Sequence, residues 1–523
     1  LLIAFFLLMI AWINYVNLSS VRAIERSKEV GVRKVVGAGR GQLLRQFFSE
    51  ALMINVISLI FALGIVQFIT PWFAAQFDLD ASILGFFNGH HLNVYLVLTL
   101  LALILTGVFV SGVYPAWLLS SPQISSVLKG VFKRDLKGVV LRKVLVVLQF
   151  SLSIALIAAT WMVGEQLSFM TQRDLGFKAD QLIRINSPEM SNFDSSFIDR
   201  MNLFKTELSS IPGIESAATS NQVPGDQMGR VFQIRLLGDG QSAKTYTSNF
   251  LNADFDYAKT YGLKPLAGRF FRREDHNSDF VKLSNIVVTE ATVKMLNIEQ
   301  HEAAIGRQLN FYNRDWNIVG ILPDFHQRSL HHAIEPIIFL PSYSPNNFLT
   351  LRVNRENIEQ TLASVQIAYR QFFPGNTFNY TFLDEHFKRL YEADLRFSSI
   401  LALFTLLTIF IACLGLFGLA SYTTYLRTKE IGIRKILGAS TGGIIGLLSK
   451  DFLKLILIAL FIGAPIAWLF MDKWLENFAY RIEIHWWMFF LAGLAAVLVA
   501  FITVSIQGLR VALSNPADSL RSE

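Results

Sequence analysis

The chain has 523 residues, of which 52% are hydrophobic and only 17% charged, and its mean hydropathy is +0.41. Soluble domains carry about a quarter charged residues, so this composition excludes an ordinary soluble protein and indicates a membrane protein. The net charge of +7 does not indicate nucleic-acid binding, because the basic residues lie beside apolar segments and form no separate basic domain.

Seven uncharged windows follow one another along the chain, each close to the roughly 20 residues that a membrane helix needs. They are residues 1–21, 51–77, 92–115, 144–164, 397–421, 455–471 and 487–508. The sequence therefore predicts an α-helical membrane protein with seven transmembrane helices. The first window starts at Leu1 without a basic leader or a cleavage site. We therefore expect a span rather than a signal peptide, with further chain upstream of it.

The loops after the first, third and fifth windows are rich in Lys and Arg, whereas the loops 78–91 and 472–486 carry no basic excess. Basic loops are retained in the cytoplasm. By alternation, the long segment 165–396 is expected to lie outside it.

A short basic stretch occurs twice: RSKEVGVRKVVGAG near the N-terminus returns as RTKEIGIRKILGAS. Arg26–Ala38 aligns without gaps onto Arg427–Ala439, 401 positions later, and each copy follows one window and precedes two more. An internal repeat of this kind is a statement about architecture. It predicts two three-span halves packed as a pseudo-symmetric pair, with window 144–164 as an extra fourth helix.

The predicted domains follow from the repeat and the windows. They are a first half at 1–128 with its elbow at 22–48, a cytoplasmic linker at 129–143, the fourth helix at 144–164, an outer domain at 165–396, and a second half at 397–523 with its elbow at 422–450. The outer domain is expected to be mixed α/β. Its predicted elements are helices at 195–210 and 356–373 and strands at 181–186, 231–237, 285–289, 316–322 and 378–383.

Each repeated stretch is predicted to form a cationic helical elbow under the bilayer. Glu29 precedes Arg33 by four residues, as Glu430 precedes Arg434, which favours an ion pair on a helix. Gly37 and Gly438 are suited to end the helix in a left-handed turn. Anchoring on anionic lipid needs only charge, so the repeated order of residues favours docking of a partner, with lipid contact as an added effect. The candidate docking residues are Arg26, Lys28, Glu29, Gly31, Arg33, Lys34 and Gly37 in the first elbow, and Arg427, Lys429, Glu430, Gly432, Arg434, Lys435 and Gly438 in the second.

A lever is predicted before the fifth window. Phe387, Leu390, Tyr391 and Leu395 keep helical spacing in the segment 384–404, which has no Gly or Pro. One continuous helix is therefore expected to run from the outer domain through the membrane to the second elbow. Proline in place of Ala393 is expected to break it.

Catalytic and metal-binding groups are sparse. His326, His331 and His332 follow Asp324, and imidazole with carboxylate suits several metals, but solvated loop polarity explains this stretch better, so no metal site is expected. Asp384 and Glu385 are explained by the start of a helix. The nucleotide-binding pattern G-x-x-x-x-G-K-[ST] is absent, and no enzymatic activity is expected. The single cysteine, Cys413, lies within an apolar window.

The repeated elbow resembles the FtsX-like permease domain, present in two copies. The segment between them resembles the MacB-type periplasmic core domain through YGLKPLAGRFF (261–271), AAIGRQLNF (303–311), WNIVGILPDFHQRSLHHAIEPIIF (316–339) and FNYTFLDEHFKRLYEADLRF (378–397). The resemblance implies the permease subunit of an ABC system in the bacterial inner membrane, an ABC-type ATPase partner that binds the ATP, and no cofactor in this chain.

The resemblance does not determine which substrate is moved or what mechanical work is performed. The family moves peptides, lipoproteins or hydrophobic drugs, or acts mechanically outside the membrane, and a second permease or a periplasmic adaptor is a further partner to consider. The alternative is a transmembrane signal relay that controls an outer or cytoplasmic partner. A membrane enzyme would need converging catalytic groups, which the sequence does not offer.

Overall fold

The computed structural model describes residues 2–25, 39–77, 94–120, 136–188, 195–238, 244–277, 279–342 and 348–513. Its α-helices in chain order are α1 (Leu2–Glu25), α2 (Arg40–Phe77), α3 (Val94–Ser120), α4 (Leu136–Gln172), α5 (Ser195–Ser210), α6 (Tyr257–Tyr261), α7 (Glu290–Met295), α8 (His301–Ala304), α9 (Ile358–Phe372), α10 (Leu383–Arg389), α11 (Glu392–Leu426), α12 (Thr428–Ile436), α13 (Thr441–Leu475) and α14 (Trp486–Leu513). Its strands are β1 (Leu182–Ile185), β2 (Ile214–Ser220), β3 (Gly229–Leu236), β4 (Tyr246–Asn252), β5 (Ala267–Gly268), β6 (Asn285–Thr289), β7 (Gln308–Phe311), β8 (Arg314–Leu322), β9 (Ile337–Leu340), β10 (Phe348–Val353) and β11 (Tyr380–Phe382).

The chain forms two compact units. The helical unit comprises residues 1–165, 396–474 and 483–523, and the mixed unit comprises residues 166–395 and 475–482. The short second piece of the mixed unit lies between α13 and α14 in sequence, so the chain enters the mixed unit twice.

Within the described ranges, five helices are long and apolar enough to cross a membrane, namely α2, α4, α11, α13 and α14. Residues 2–21 of the first window lie in α1 and residues 94–115 of the third lie in α3. These two helices are apolar over the shorter stretches Ile3–Ser19 and Val97–Phe109. A helical membrane protein with a mixed α/β unit is therefore confirmed, whereas the count of seven spans stays a prediction.

Small and hydroxylated residues bring the helices of the helical unit together. Ser151 Oγ of α4 donates to the carbonyl of Ala459 in α13 at 3.1 Å, and a Cβ on Gly463 would lie 2.6 Å from the backbone oxygen of Ser151. Thr160 and Thr405 join α4 to α11 at 2.7 Å. Lipid tails are as apolar as leucine, so close backbone approach and hydrogen bonds, rather than apolar burial, hold such helices together.

A four-stranded antiparallel sheet, in the order β11-β1-β10-β2, forms one layer of the mixed unit. Helices α5 and α9 supply its core with aromatic rings, such as Phe204 and Phe372 with centroids 5.4 Å apart. The predicted helix at 195–210 is confirmed as α5, and the one at 356–373 as α9. Their apolar residues recur at helical spacing, which is the strongest local signal that a sequence carries.

The second sheet has seven strands in the order β5-β8-β6-β9-β4-β3-β7, and β8 also pairs with β7. This extra pairing closes six of the strands into a small barrel around a core that includes Trp316 and Ile318. The five predicted strands are confirmed as β1, β3, β6, β8 and β11. The other six strands were not predicted from the sequence. They are short or, as in IESAATS and YTSNFLN, carry many small and polar residues.

Candidate functional site

The second elbow is a separate helix. Helix α11 ends at Leu426 and α12 begins at Thr428, so the chain turns at Arg427. The Arg427 amide is shared between the carbonyls of Thr423 and Thr424, at 3.2 and 3.1 Å. Its guanidinium lies 3.2 Å from Asp451 in α13. These contacts fix the point at which the chain leaves the predicted span.

The predicted ion pair of the second elbow is present. Arg434 Nη2 donates to Glu430 Oε1 at 2.8 Å, and both side chains are about half exposed. Such exposed pairs stabilise a helix by roughly 0.3–0.5 kcal/mol. The pair therefore orients the charges on the surface of α12 more than it stabilises the fold.

Gly438 ends the second elbow in the predicted left-handed turn. Its φ is +90°, its amide bonds to the Lys435 carbonyl, and the Ala439 amide bonds to the Arg434 carbonyl at 2.9 Å. This pair of bonds is a Schellman motif, which satisfies carbonyls that the helix end leaves open. Ser440 then caps α13, because its Oγ accepts the Gly443 amide at 3.2 Å.

The elbow surface is also apolar, which the sequence reading did not anticipate. Ile433, Ile436 and Leu437 are 52%, 61% and 80% exposed, while Ile431 is buried. We call these three exposed residues the aliphatic strip; it lies beside the cations Arg434 and Lys435. A signal was available in the repeat, since Val32, Val35 and Val36 occupy the matching positions of the first copy.

Residues 26–38 of the first elbow lie outside the described residues. Its candidate residues, Arg26, Lys28, Glu29, Gly31, Arg33, Lys34 and Gly37, therefore stay predictions. The described chain resumes at Gly39, whose carbonyl accepts the Gln42 amide at 3.1 Å where α2 begins. In the second elbow, Lys429 and Gly432 lie within α12 as expected.

The prediction of one continuous lever helix is wrong. Helix α10 ends at Arg389 and α11 begins at Glu392. The amides of Leu390 and Tyr391 bond three residues back, to Phe387 and Lys388, at 3.1 and 3.0 Å. This tighter turn accompanies the burial of Phe387 and Tyr391, which are 5% and 2% exposed. Leu395 belongs to the first turn of α11, and the lever role of these four residues stays a prediction.

Tyr391 fastens this break within the mixed unit. Its hydroxyl oxygen accepts the Leu330 amide at 3.0 Å. Burial raises the pKa of Tyr391 to about 12, so the phenol keeps its proton at neutral pH. Sequence spacing predicts only that Tyr391 lies on one face of a helix. It does not reveal that the ring is buried and that its hydroxyl is hydrogen-bonded to Leu330.

Two family models match the chain. Residues 1–124 and 402–516 match the FtsX-like permease C-terminal model, and residues 144–369 match the MacB-like periplasmic core domain. The chain belongs to the FtsX/MacB-type ABC transporter permeases. It is accordingly a multi-pass protein of the inner membrane, as the sequence predicted, and members of this family are transporter components rather than classical enzymes.

Curated relatives of this permease match over short stretches. The macrolide export ATP-binding/permease protein MacB of Neisseria gonorrhoeae is 35% identical over 89 residues, or 16% of this chain and 14% of that protein. The uncharacterized ABC transporter permease YknZ of Bacillus subtilis is 38% identical over 58 residues, or 11% and 15%. The matched stretches thus span about a seventh of these relatives.

Solved structures resemble this permease only in part. The periplasmic region of MacB from Actinobacillus actinomycetemcomitans covers 42% of this chain and 97% of its own, with 15% identity and a TM-score of 0.29. The extracellular domain of a noncanonic ABC-type transporter, YknZ from Gram-positive bacteria, has 10% identity and a TM-score of 0.26, covering 38% of this chain and 98% of its own.

The segment 475–482 of the permease is built into the mixed unit, and we call it the strap. Gln166 Nε2 donates to the Tyr480 carbonyl, and Gln166 Oε1 accepts the Ile482 amide, both at 2.9 Å. Gln166 is fully buried. The Tyr480 ring contacts both Arg173, whose Cζ lies 4.7 Å from the ring centroid, and the His326 ring, with centroids 4.9 Å apart.

Two histidines of DFHQRSLHH, His326 and His331, contact the strap. The His331 ring stacks on Phe478 of the strap at 4.5 Å, its Nδ1 lies 3.1 Å from Ser329 Oγ, and its Nε2 lies 3.4 Å from Asp394. Burial, together with Arg173, lowers the pKa of His326. Within the described ranges, no group of three His, Cys, Asp or Glu is placed to hold a metal ion.

Proposed function

We propose that this permease is the membrane subunit of an ABC machine whose ATPase is a separate protein. The ATPase binds the two elbows, hydrolyses ATP in the cytoplasm, and thereby drives export or mechanical work outside the membrane. Peptides, lipoproteins and hydrophobic drugs are the cargo classes that the family suggests. The chain itself binds no ATP in this proposal and needs no cofactor.

The surface of the second elbow is the observation that carries the proposal. The aliphatic strip combines three exposed apolar side chains with the neighbouring cations of Arg434 and Lys435. Lipid headgroups attract the cations alone, at about 1 kcal/mol each. A protein partner also buries the aliphatic side chains, and apolar residues at the centre of a contact with charges around it are typical of protein interfaces.

The route from the elbow to the outside supports mechanical coupling. Helix α11 runs without interruption from Leu426, beside the elbow, to Glu392. At about 1.5 Å per residue, its 35 residues extend roughly 50 Å, which exceeds the apolar thickness of a bilayer. Movement of the elbow is therefore passed along one rigid helix to the turn at Leu390 and Tyr391.

The test is capture of the ATPase by the tagged permease, purified in lipid nanodiscs from its native host. We expect an ABC-type ATPase in the eluate, identified by mass spectrometry. Glu430→Lys removes the 2.8 Å pair with Arg434 and adds a cation, so we expect at least fivefold less ATPase captured at equal permease yield.

The matched control is the double variant Glu430→Lys with Arg434→Glu, which restores an ion pair in the reverse order. We expect it to recover part of the lost capture. Unchanged capture by Glu430→Lys would contradict docking at this elbow, and absence of any ABC-type ATPase from the wild-type eluate would contradict the proposed function itself.

A further inference from the structure

A wide cleft opens in the mixed unit beside the break between α10 and α11. Its volume is about 1010 Å³, which is large enough for a small-molecule ligand. Its walls come from three parts of the chain. The end of α4 and the segment after it contribute Arg173 and Lys178, the turn after β10 contributes Arg352 and Arg355, and α10 contributes Lys388. Every wall of the cleft therefore carries positive charge.

The positive charge of the cleft exceeds its negative charge. The five cations are accompanied by three carboxylates, those of Asp174, Asp180 and Asp384. Arg355 lies 3.5 Å from Asp180, and both side chains are more than 70% exposed, so this pair is weak. Within the described ranges, the other four cations form no ion pair. The cleft thus holds a surplus of positive charge that its own carboxylates do not neutralise.

Arg352 is the buried member of this set, at 8% exposure. Its Nε donates to the Thr260 carbonyl at 2.8 Å, its Nη2 to the Lys178 carbonyl at 2.9 Å and its Nη1 to the Asp180 carbonyl at 3.3 Å. These carbonyls satisfy the donors but have no net charge. Burial lowers the pKa of Arg352, because the cation has lost water without gaining a carboxylate partner. An anion bound in the cleft would supply the missing negative charge.

The cleft also has an apolar floor, which we define as Met170, Phe177, Phe387 and Tyr391. All four residues line the cleft and are buried. The rings of Phe177 and Phe387 meet edge to face, with centroids 6.4 Å apart. Exposed lysines beside a buried aromatic floor suit a ligand that is itself amphiphilic, with an anionic group joined to an apolar part.

Two candidate spans end at the cleft. The apolar stretch of α4 runs from Val140 to Gln172, and the last residues of this helix line the cleft. Tyr391 lines it too and directly precedes α11, whose apolar stretch begins at Glu392. Lipid headgroups lie where spans leave the hydrocarbon core, and Lys and Arg side chains near helix ends reach into that region. An amphiphile of the bilayer therefore fits this position better than a soluble acidic peptide.

We propose that the cleft binds an anionic phospholipid of the outer leaflet. Lys178 and Lys388 donate to its phosphate, Arg352 supplies positive charge behind them, and the apolar floor packs against the glycerol and the first methylenes of the acyl chains. Binding of this kind makes the base of the mixed unit sensitive to the lipid composition of the membrane. The site is independent of the elbows and of the ATPase proposed for them, so either proposal can fail without the other.

The experiment identifies what lies in the cleft by photo-cross-linking. Full-length permease carrying benzoylphenylalanine in place of Ala179, a half-buried cleft residue, is reconstituted in nanodiscs of equal parts phosphatidylcholine and phosphatidylglycerol. Mass spectrometry should find mainly phosphatidylglycerol adducts. We expect at least fivefold fewer of them in Lys178→Glu with Lys388→Glu. The matched control, Lys244→Glu with Lys282→Glu, reverses two exposed lysines of the mixed unit outside the cleft and should keep the wild-type yield.

Several results would overturn the proposal. One is an equal adduct yield in Lys178→Glu with Lys388→Glu, and another is equal labelling of the two lipids. Suppression of the adduct by inorganic phosphate, but not by chloride at the same ionic strength, would assign the cleft to free anions. A peptide adduct without a lipid adduct in native membranes would assign it to a peptide. If charge reversal lowers the urea midpoint, Lys178→Gln with Lys388→Gln carries the same test, with at least a threefold loss expected.

Discussion

Single side chains fix the outer part of the permease as much as its sheets do. Arg269 pairs with Asp275 through its two terminal nitrogens, Nη1 and Nη2, at 2.5 and 3.0 Å. The Arg272 amide and the Asn285 amide group also donate to Asp275, each at 2.7 Å. Burial by itself raises the pKa of Asp275, but these hydrogen bonds outweigh it and hold the pKa at about 2.

Asp275 therefore makes stability depend on pH. A carboxylate whose pKa is depressed on folding stabilises the fold above its unfolded value of 3.8 and loses that contribution as the pH falls toward 2. Asp275→Asn should lower the urea midpoint at pH 6 and narrow the difference between pH 6 and pH 3, followed by tryptophan fluorescence. Glu274→Gln, at an exposed pair, is the control and should change neither value. An unchanged midpoint for Asp275→Asn at pH 6 would refute this role.

Residue-scale predictions from the sequence succeeded where the interaction is local. The pair of Glu430 with Arg434 and the left-handed Gly438 depend on spacing within one helix, so the sequence contains them in full. The contacts of Gln166 and His331 with the strap could not be predicted, because Tyr480 and Phe478 lie far away along the chain. The aliphatic strip was missed for a different reason, since burial of an isoleucine depends on which helices pack against it.

At the scale of elements, the end of the second elbow depends on one backbone conformation. A side chain added at Gly438 would meet open space, since no atom lies within 4 Å of the position its Cβ would take, yet the φ of this residue is +90°. Gly438→Val should therefore cost about 1–2 kcal/mol through backbone strain and not through a clash.

We expect Gly438→Val to reduce ATPase capture and to increase protease cleavage after Arg434 or Lys435. Gly438→Asn is the matched control, because asparagine tolerates the left-handed region, and it should behave close to wild type. Equal capture by the valine and glycine forms would show that the Schellman turn is dispensable for docking.

The lever gives a second element-scale prediction, which replaces the one made from sequence. Because α11 begins at Glu392, Ala393 lies in the first helical turn, where proline is tolerated. Ala402 is an equally exposed alanine in the helix interior, where proline costs about 3 kcal/mol.

Ala393→Pro should therefore retain wild-type transport-coupled ATP hydrolysis, while Ala402→Pro should lose most of it at similar membrane insertion. Measuring ATPase stimulation by the two variants in nanodiscs separates the cases. Loss of ATPase stimulation in both variants would support one uninterrupted lever helix. Retention of stimulation in both variants would refute the lever. The break at Leu390 and Tyr391 could not be predicted, because the Tyr391 hydroxyl bonds there to the Leu330 amide, 61 positions away along the chain.

At the scale of the whole molecule, Gln166 makes two hydrogen bonds to the backbone of the strap. Replacing it by leucine removes both hydrogen bonds and leaves the Ile482 amide and the Tyr480 carbonyl without this partner, at a cost of about 1–3 kcal/mol. Gln166→Leu should speed hydrogen exchange at the Ile482 amide by tenfold or more. Gln166→Glu keeps the acceptor for that amide and should protect it better. Equal exchange in wild type and Gln166→Leu would mean that the strap is held elsewhere.

The repeated basic stretch is written in the sequence without gaps, and the FtsX-like model matches both parts of the permease that carry it, residues 1–124 and 402–516; their division into two three-span halves stays a prediction. The closure of the barrel by the pairing of β8 with β7, and the packing of the strap into the mixed unit, could not be predicted. Both join segments that show no local sequence pattern. Sequence spacing thus predicted local features such as the end of α12 at Gly438, and tertiary pairing decided what the strap contacts.

The double entry of the chain into the mixed unit also sets an order of events during synthesis. Residues 166–395 leave the ribosome before α13, whereas Phe478 and Tyr480 leave it afterwards. Gln166, His326 and His331 of the nascent mixed unit therefore lack their strap contacts until α13, which contains the sixth window, has been synthesised and inserted. A soluble fragment that ends at Leu395 would keep the strap-binding surface exposed. Fusing residues 475–482 to the end of that fragment would supply the missing part of the mixed unit.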